Sequence, residues 1–293
     1  MKFSIIGCQH GHIASFIKEM IDLGHTCAGI YELENEALAT KIAEQFQVPL
    51  ISNKEQLLAE DIDIVGCAAI NNEKIDVIEL CEERNKHVMV DKPIVTDKQD
   101  YERLQAVIDR GKIQVGMLLT ERFRASTFTL KKMIDRGELG DIVTIGMRKP
   151  HRLTPEKRPA WHFSKEQGGG IVIDLFVHDF DLLRWLTGKQ VKSIQGYMAK
   201  NILPEYPSFY DAANLQVQLD GPILAQLYAD WHNPEKSWTW GDCRIFITGT
   251  KGVAEVRLAG DPLIETEEFI VKVTHDKEHE RIKLASPTTT TTE

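Results

Sequence analysis

Short apolar runs alternate with amphipathic stretches through the first third of the chain. Residues 2–6, 26–31, 62–69, 87–90 and 113–119 read as strands. Between them, residues 13–23, 35–46, 72–84 and 97–110 carry apolar side chains at helical spacing. Nearly continuous apolar strands separated by amphipathic helices predict a parallel sheet covered on both faces, an α/β unit of the doubly wound kind. The pattern changes near residue 120. A helix over 126–136, a strand over 142–147, a polar stretch over 149–166 and a second helix from 168 to about 186 come first. They lead into strands at 193–198, 213–219, 223–231, 243–248, 253–258 and 269–274. Strands joined by short turns predict a mostly antiparallel, open sheet with its own helices, an α+β unit. The expected organisation is a nucleotide-type domain over 1–120, an α+β domain over 121–287 and a low-complexity, threonine-rich tail over 288–293.

Composition changes this picture little. At 293 residues two domains are expected. The 44 acidic against 35 basic side chains give a net charge of -9, and no basic block stands out. Such a chain is repelled by phosphate backbones, so nucleic acid is not an expected partner. No apolar run reaches membrane-spanning length, and the first strand starts at once, so neither membrane nor signal peptide is expected. The five cysteines are scattered and form no CxxC pair. They read as reduced thiols of a cytoplasmic protein.

Four constellations carry chemistry. Gly7-Cys8-Gln9-His10-Gly11-His12 sits between the first strand and the first helix, where a dinucleotide-binding turn belongs. There, glycine lets the main chain approach a pyrophosphate at a helix start. The frame is imperfect, because Gln9 and His12 stand where the second and third glycines belong. A plain strand-to-helix turn fits the turn alone equally well. Glu32 ends the second strand, 25 positions after Gly7, where a carboxylate can accept from ribose hydroxyls and repel a 2′-phosphate. That favours NAD over NADP, although an acidic strand end is also ordinary. Asp91-Lys92-Pro93 closes an apolar strand, which puts Lys92 at the carboxyl edge of the sheet, able to polarise a substrate oxygen. A solvated surface lysine is the bland alternative. The run Gly168-Gly169-Gly170 opens a helix on which Asp174 and His178 are four apart and share a face. A carboxylate beside an imidazole orients it to take a hydroxyl proton, though a buried structural pair would look the same. One Asp and one His are too few for a metal, and none is expected.

With these motifs the chain resembles the Gfo/Idh/MocA oxidoreductases, the family of glucose–fructose oxidoreductase and inositol 2-dehydrogenase. The resemblance rests on Asp91-Lys92-Pro93 in place of the family's Glu-Lys-Pro and on Gly168 to Asp179. Val115-Gly116-Met117 with Arg122-Phe123, and Gly249-Thr250-Lys251-Gly252, add to it. It implies an N-terminal Rossmann domain, and a C-terminal α+β domain whose open sheet mediates a homodimer or homotetramer. It implies hydride transfer between NAD(P) and a hydroxyl or carbonyl of a small sugar, polyol or related compound. By that likeness Lys92 contacts nicotinamide and substrate, His178 is the acid/base and Asp174 its partner or a substrate ligand. Gly7, Gln9, His10, Gly11, His12, Glu32, Ala69, Ile70, Asn71 and Lys92 line the cofactor. Arg122, His151, Trp161 and His162 are candidates for the substrate pocket. Lys74 departs from the likeness, standing where many members carry histidine. Two rival readings remain: a nucleotide-bound sensor or scaffold without catalysis, and an NAD-dependent lyase or hydrolase with no net redox change.

Overall fold

The computed structural model describes residues 1–287, 289 and 290; most of the expected threonine-rich tail lies outside the described residues. In the first unit, β1 (Lys2–Cys8), β2 (Thr26–Tyr31), β3 (Ile64–Ala68), β4 (His87–Asp91) and β5 (Val115–Leu118) pair in parallel in the order β2-β1-β3-β4-β5. Alternation along β1 assigns its two faces. Phe3 and Ile5 join one buried cluster with Ile13, Phe16 and Ile17 of α1 (Ile13–Asp22) and Ile42 of α2 (Glu36–Phe46). Ile6 joins the other, with Ile75 and Ile78 of α3 (Lys74–Glu83) and Leu104 and Val107 of α4 (Lys98–Arg110). Each fully buried side chain of this size contributes about 1.5–3 kcal/mol. Both faces are therefore covered, as a parallel sheet requires.

Local signals set the helix ends. The Asn35 side chain accepts from Leu38 N at 3.3 Å to start α2. Asp97 does the same for α4 through Asp100 N at 2.9 Å, and Gly111 ends that helix in the left-handed region.

The second unit is built on an eight-stranded sheet. Its strands are β6 (Ile142–Pro150), β7 (Val191–Ala199), β8 (Ala212–Leu219), β9 (Leu224–Asp230), β10 (Arg244–Gly249), β11 (Gly252–Arg257), β12 (Phe269–Thr274) and β13 (Lys277–Ile282). They lie in the order β13-β12-β11-β10-β6-β9-β8-β7. Every pairing is antiparallel except β6 with β9. β8 shows the period of two: Ala213, Leu215, Val217 and Leu219 are buried, whereas Asn214, Gln216 and Gln218 face out. The buried rows meet α5 (Ala125–Asp135) and α7 (Gly170–Thr187), where Leu130, Met133, Leu175, Leu182 and Leu186 complete the core. β13 has no counterpart among the expected strands. Its sequence KEHERI has no apolar alternation, because it is an edge strand, and charge on an edge discourages further pairing.

The glycine run also differs from expectation. Helix α7 starts at Gly170, and residues 165–168 form a separate single turn, α6 (Lys165–Gly168), begun by Ser164 Oγ accepting from Gln167 N at 3.2 Å. Gly169 and Gly170 have φ of 85° and 75°. Two left-handed residues in succession suit glycine alone at low cost, which accounts for the run. Compactness assigns residues 164–169 to the first unit with residues 1–119. Residues 120–163 and 170–289 make the second, and Thr290 groups with the first.

Candidate active site

β1 bulges at Gly7 just before the turn, where φ is +84° and an imagined Cβ would lie 2.5 Å from Ala69 N. No side chain fits there, so β1 and the residues after β3 stay in close register, and Gln9 N donates to Ala68 O at 2.7 Å. Helix α1 begins with no capping side chain and no acidic residue in its first turn, which leaves its positive end for an anion.

Glu32 follows β2 and reaches back to this turn. Its Oε2 accepts from Cys8 N at 2.6 Å. Its Oε1 accepts from Gln9 Nε2 at 2.9 Å, Glu34 N at 2.8 Å and Asn35 N at 3.2 Å. Gln9, which stands where a family glycine belongs, therefore ties the turn to the acidic strand end. Beside them lies a cleft of about 390 Å³ lined by Gly7, Gln9, Glu32, Ala69 and Ile70. Glu34, Glu73 and Asp76 also line it, against a single lysine, Lys54. Partial burial and the neighbouring carboxylates Glu34, Asp76 and Glu32 push the Glu73 carboxyl up.

Lys92 follows β4 and is 8% exposed. The main chain on either side of it is clamped by Lys74, the residue that departs from the family likeness. Lys74 is 1% exposed, and its Nζ donates to Asn71 Oδ1 at 2.8 Å, Asp91 O at 2.8 Å, Pro93 O at 3.0 Å and Lys92 O at 3.3 Å. Asn71 is fixed in turn by donating from Nδ2 to Gly168 O at 3.1 Å. The Asp91 side chain faces two imidazoles, with His12 Nδ1 3.1 Å from Oδ1 and His10 Nδ1 3.5 Å from Oδ2. Burial opposes ionisation of Asp91, but the His12 hydrogen bond and the charges of Lys74, His12 and His10 hold its carboxyl well below the usual range.

In the second unit, Asp174 and His178 lie half-buried one turn apart on α7. Two further carboxylates of the same helix brace it. Buried Asp179 meets buried Lys149 of β6 at 3.0 Å. Burial pushes Asp179 up, while Asp179 and Glu121 outweigh burial at Lys149 and keep it an ammonium. Arg122, expected in the substrate pocket, spends its guanidinium on Asp181, with Nε donating at 2.7 Å and Nη2 making a second short bond. The other three pocket candidates form one aromatic cluster. The His162 ring lies 5.2 Å from Trp231 and 6.2 Å from Trp161, and His151 meets Trp231 at 5.6 Å. Arg158 belongs to this cluster and escaped the sequence reading. Its guanidinium stands 5.2 Å from the Trp231 ring and 5.3 Å from that of Trp240. Burial lowers its pKa, and the charge of Asp174 opposes that shift. Nothing local marks it, because both tryptophans come more than 70 residues later.

Residues 1–118 match the model of an oxidoreductase family with an NAD-binding Rossmann fold, and residues 128–255 match the GFO/IDH/MocA C-terminal domain. An inositol 2-dehydrogenase of Rhizobium meliloti (strain 1021) is 30% identical over 196 residues, 66% of this chain and 57% of that one. A D-xylose dehydrogenase of Paenarthrobacter nicotinovorans is 23% identical over 216 residues, 67% of this chain and 55% of that one. The chain thus spans little more than half the length of these curated relatives. A solved chain from Erwinia carotovora atroseptica SCRI1043 superposes with a TM-score of 0.89 at 26% identity, over 96% of this chain and 85% of the other.

Proposed function

Because this chain belongs to the GFO/IDH/MocA oxidoreductase family, we propose that it oxidises a secondary alcohol of a small sugar or polyol, or reduces the matching carbonyl, with NAD. The observation that carries this reading is Lys92 held at the carboxyl edge of a parallel sheet. The clamp of Lys74 and the close turn at Gly7 belong to the same sheet edge. Gly7, Gln9 and Gly11 give the pyrophosphate a close main-chain approach, and Ala69, Ile70 and Asn71 lie along the cofactor beyond them. The cleft beside Glu32 takes the adenosine. When bound, the nicotinamide supplies the acceptor for a hydride from the alcohol carbon. His178 takes the hydroxyl proton, Asp174 orients that imidazole and steadies the charge it gains with the proton, and Lys92 steadies the developing alkoxide. His151, Trp161 and His162, with Trp231 and Arg158, offer aromatic faces and a cation for the apolar and polar sides of a sugar ring.

The carboxylates around the cleft disfavour a 2′-phosphate, which supports NAD over NADP. In Glu32→Gln, kcat/KM for NADP+ should rise relative to NAD+ by ~10-fold, the equivalent of about 1.4 kcal/mol. An unchanged ratio from steady-state kinetics would show that Glu32 does not read the ribose.

The activity is tested by adding NAD+ and a panel of inositols, sugars and sugar acids to the full chain and following absorbance of the reduced nicotinamide. Growth of that signal with at least one member is the expected result. Consumption of a panel member with no net reduced nicotinamide would move the assignment to lyase or hydrolase chemistry. NAD binding with no consumption of any member would leave the sensor reading.

We also propose that the open sheet pairs copies of this chain. Its outer face exposes Tyr197, which pairs across from outward-facing Asn214 and is 88% exposed, and Phe246, and both line a hollow of about 630 Å³. Sedimentation should give a dimer or tetramer that Tyr197→Arg/Phe246→Glu reduces to the 33.3 kDa chain. A wild-type monomer rejects the idea. Among the described residues no helix is long and apolar enough to cross a membrane, and all five cysteines are free thiols. The free thiols support the reading of a reducing, cytoplasmic compartment.

A further inference from the structure

We propose that His10, His12 and Asp91 form a binding site for a divalent transition metal of the zinc class. The three are 79 or more positions apart between turn and strand end, yet the fold must bring them together. β1 and β4 are parallel strands of one sheet with only β3 between them, so the turn after β1 and the last residue of β4 share the carboxyl edge. Among the described residues this is the one group of three or more His, Cys, Asp or Glu side chains whose ligand atoms all lie within 4.8 Å of one another.

The spacing suits a metal. Two donors each ~2.0–2.1 Å from a tetrahedral zinc stand ~3.3–3.4 Å apart. His12 Nδ1 lies 3.1 Å from Asp91 Oδ1, and His10 Nδ1 lies 3.5 Å from Asp91 Oδ2. The two imidazole rings approach edge-on with centroids 4.0 Å apart, so both Nδ1 atoms turn to one carboxylate. The donor set, two imidazoles and a carboxylate, is one that zinc, cobalt and nickel favour over calcium or magnesium.

His12 N also donates to His10 Nδ1 at 3.4 Å, which ties the two imidazoles to each other. The supporting contacts are in place before any ion arrives. Asp91 is 1% exposed, and its main-chain oxygen is held by Lys74 at 2.8 Å. His10 and His12 are half open to solvent, giving a path of entry. Three protein ligands leave a fourth position for a solvent or phosphate oxygen, as in sites that keep an open coordination place.

This departs from the expectation that the chain holds no metal, which considered only Asp174 and His178. The inference uses side chains of the first unit alone and does not rest on the dehydrogenase reading, in which the main chain of the turn meets the pyrophosphate.

The test is a titration of the full chain, stripped with EDTA, with cobalt(II) followed by its visible absorption and with zinc followed by calorimetry. One equivalent per chain and the intense bands of four-coordinate cobalt are expected. His10→Ala and His12→Ala, at half-exposed positions that the core does not use, should each weaken binding by ~100-fold or more. Half-buried His25→Ala, outside the cluster, serves as the control and should leave it unchanged. Circular dichroism of each variant confirms the fold. No uptake by the wild type overturns the proposal, as does uptake that persists unaltered in His10→Ala/His12→Ala, which would mean adventitious surface binding only. NAD+ binding, read in parallel by tryptophan fluorescence, separates the two readings: its loss with metal uptake retained rejects the cofactor assignment alone, and the converse rejects the metal site alone.

Discussion

Lys92→Ala should lower kcat for the identified alcohol by about 10²-fold or more, about 2.7 kcal/mol of transition-state stabilisation, with the fold intact. The ammonium steadies an oxygen that becomes negative only as the proton and hydride leave, so kcat should fall more than KM rises. His178→Ala removes the proton acceptor and should cost about 10²–10⁴-fold, more at low pH than at high pH, where solvent hydroxide replaces part of the lost base. Asp174→Asn acts through the imidazole and should give a smaller loss with an altered pH profile. The measurement is a pH–rate profile of kcat and kcat/KM for each variant. Near-normal turnover in both Lys92→Ala and His178→Ala would sink the assignment of these residues, whatever substrate is found.

Lys74→Met is the second large effect, on stability before activity. The methionine stem fills the same volume, but four buried acceptors, Asn71 Oδ1 and the carbonyls of Asp91, Lys92 and Pro93, lose their donor. Each buried unpaired polar group costs about 1–3 kcal/mol, and partial relaxation leaves an expected loss near 3–5 kcal/mol. Urea unfolding should show it as a lower midpoint with an unchanged slope. Lys74→His, which the likeness to the family suggests as a substitute, keeps a donor at the same strand end and should recover a good part of the stability and of kcat. Lys74 is thus a positioning residue for Lys92. A Lys74→Met chain as stable and as active as the wild type would show that the clamp is dispensable.

The α/β half was legible because its signals are local. Period-two and period-3.6 patterns, Asn35 and Asp97 as helix starts and Gly111 as a helix stop act over a few residues, and each element formed within a few residues of its expected place. β13 was not legible, because an exposed edge strand need not alternate in hydrophobicity. The motif residues Gly7, Lys92, Asp174 and His178 stood out through type and spacing.

What each polar side chain does depended on partners far along the chain. Glu32 is spent partly on its own turn, Arg122 on Asp181, and Arg158 sits between Trp231 and Trp240. Lys74 holds a loop 17 to 19 residues away, and His10 and His12 meet Asp91 across a strand. The sequence by itself determined the elements, their order and the residue types at the sheet edge, since backbone geometry and burial operate on neighbours. Only the tertiary structure decided which charges pair, because Coulomb and hydrogen-bond partners are chosen by distance in space, and parallel strands carry distant residues to one edge.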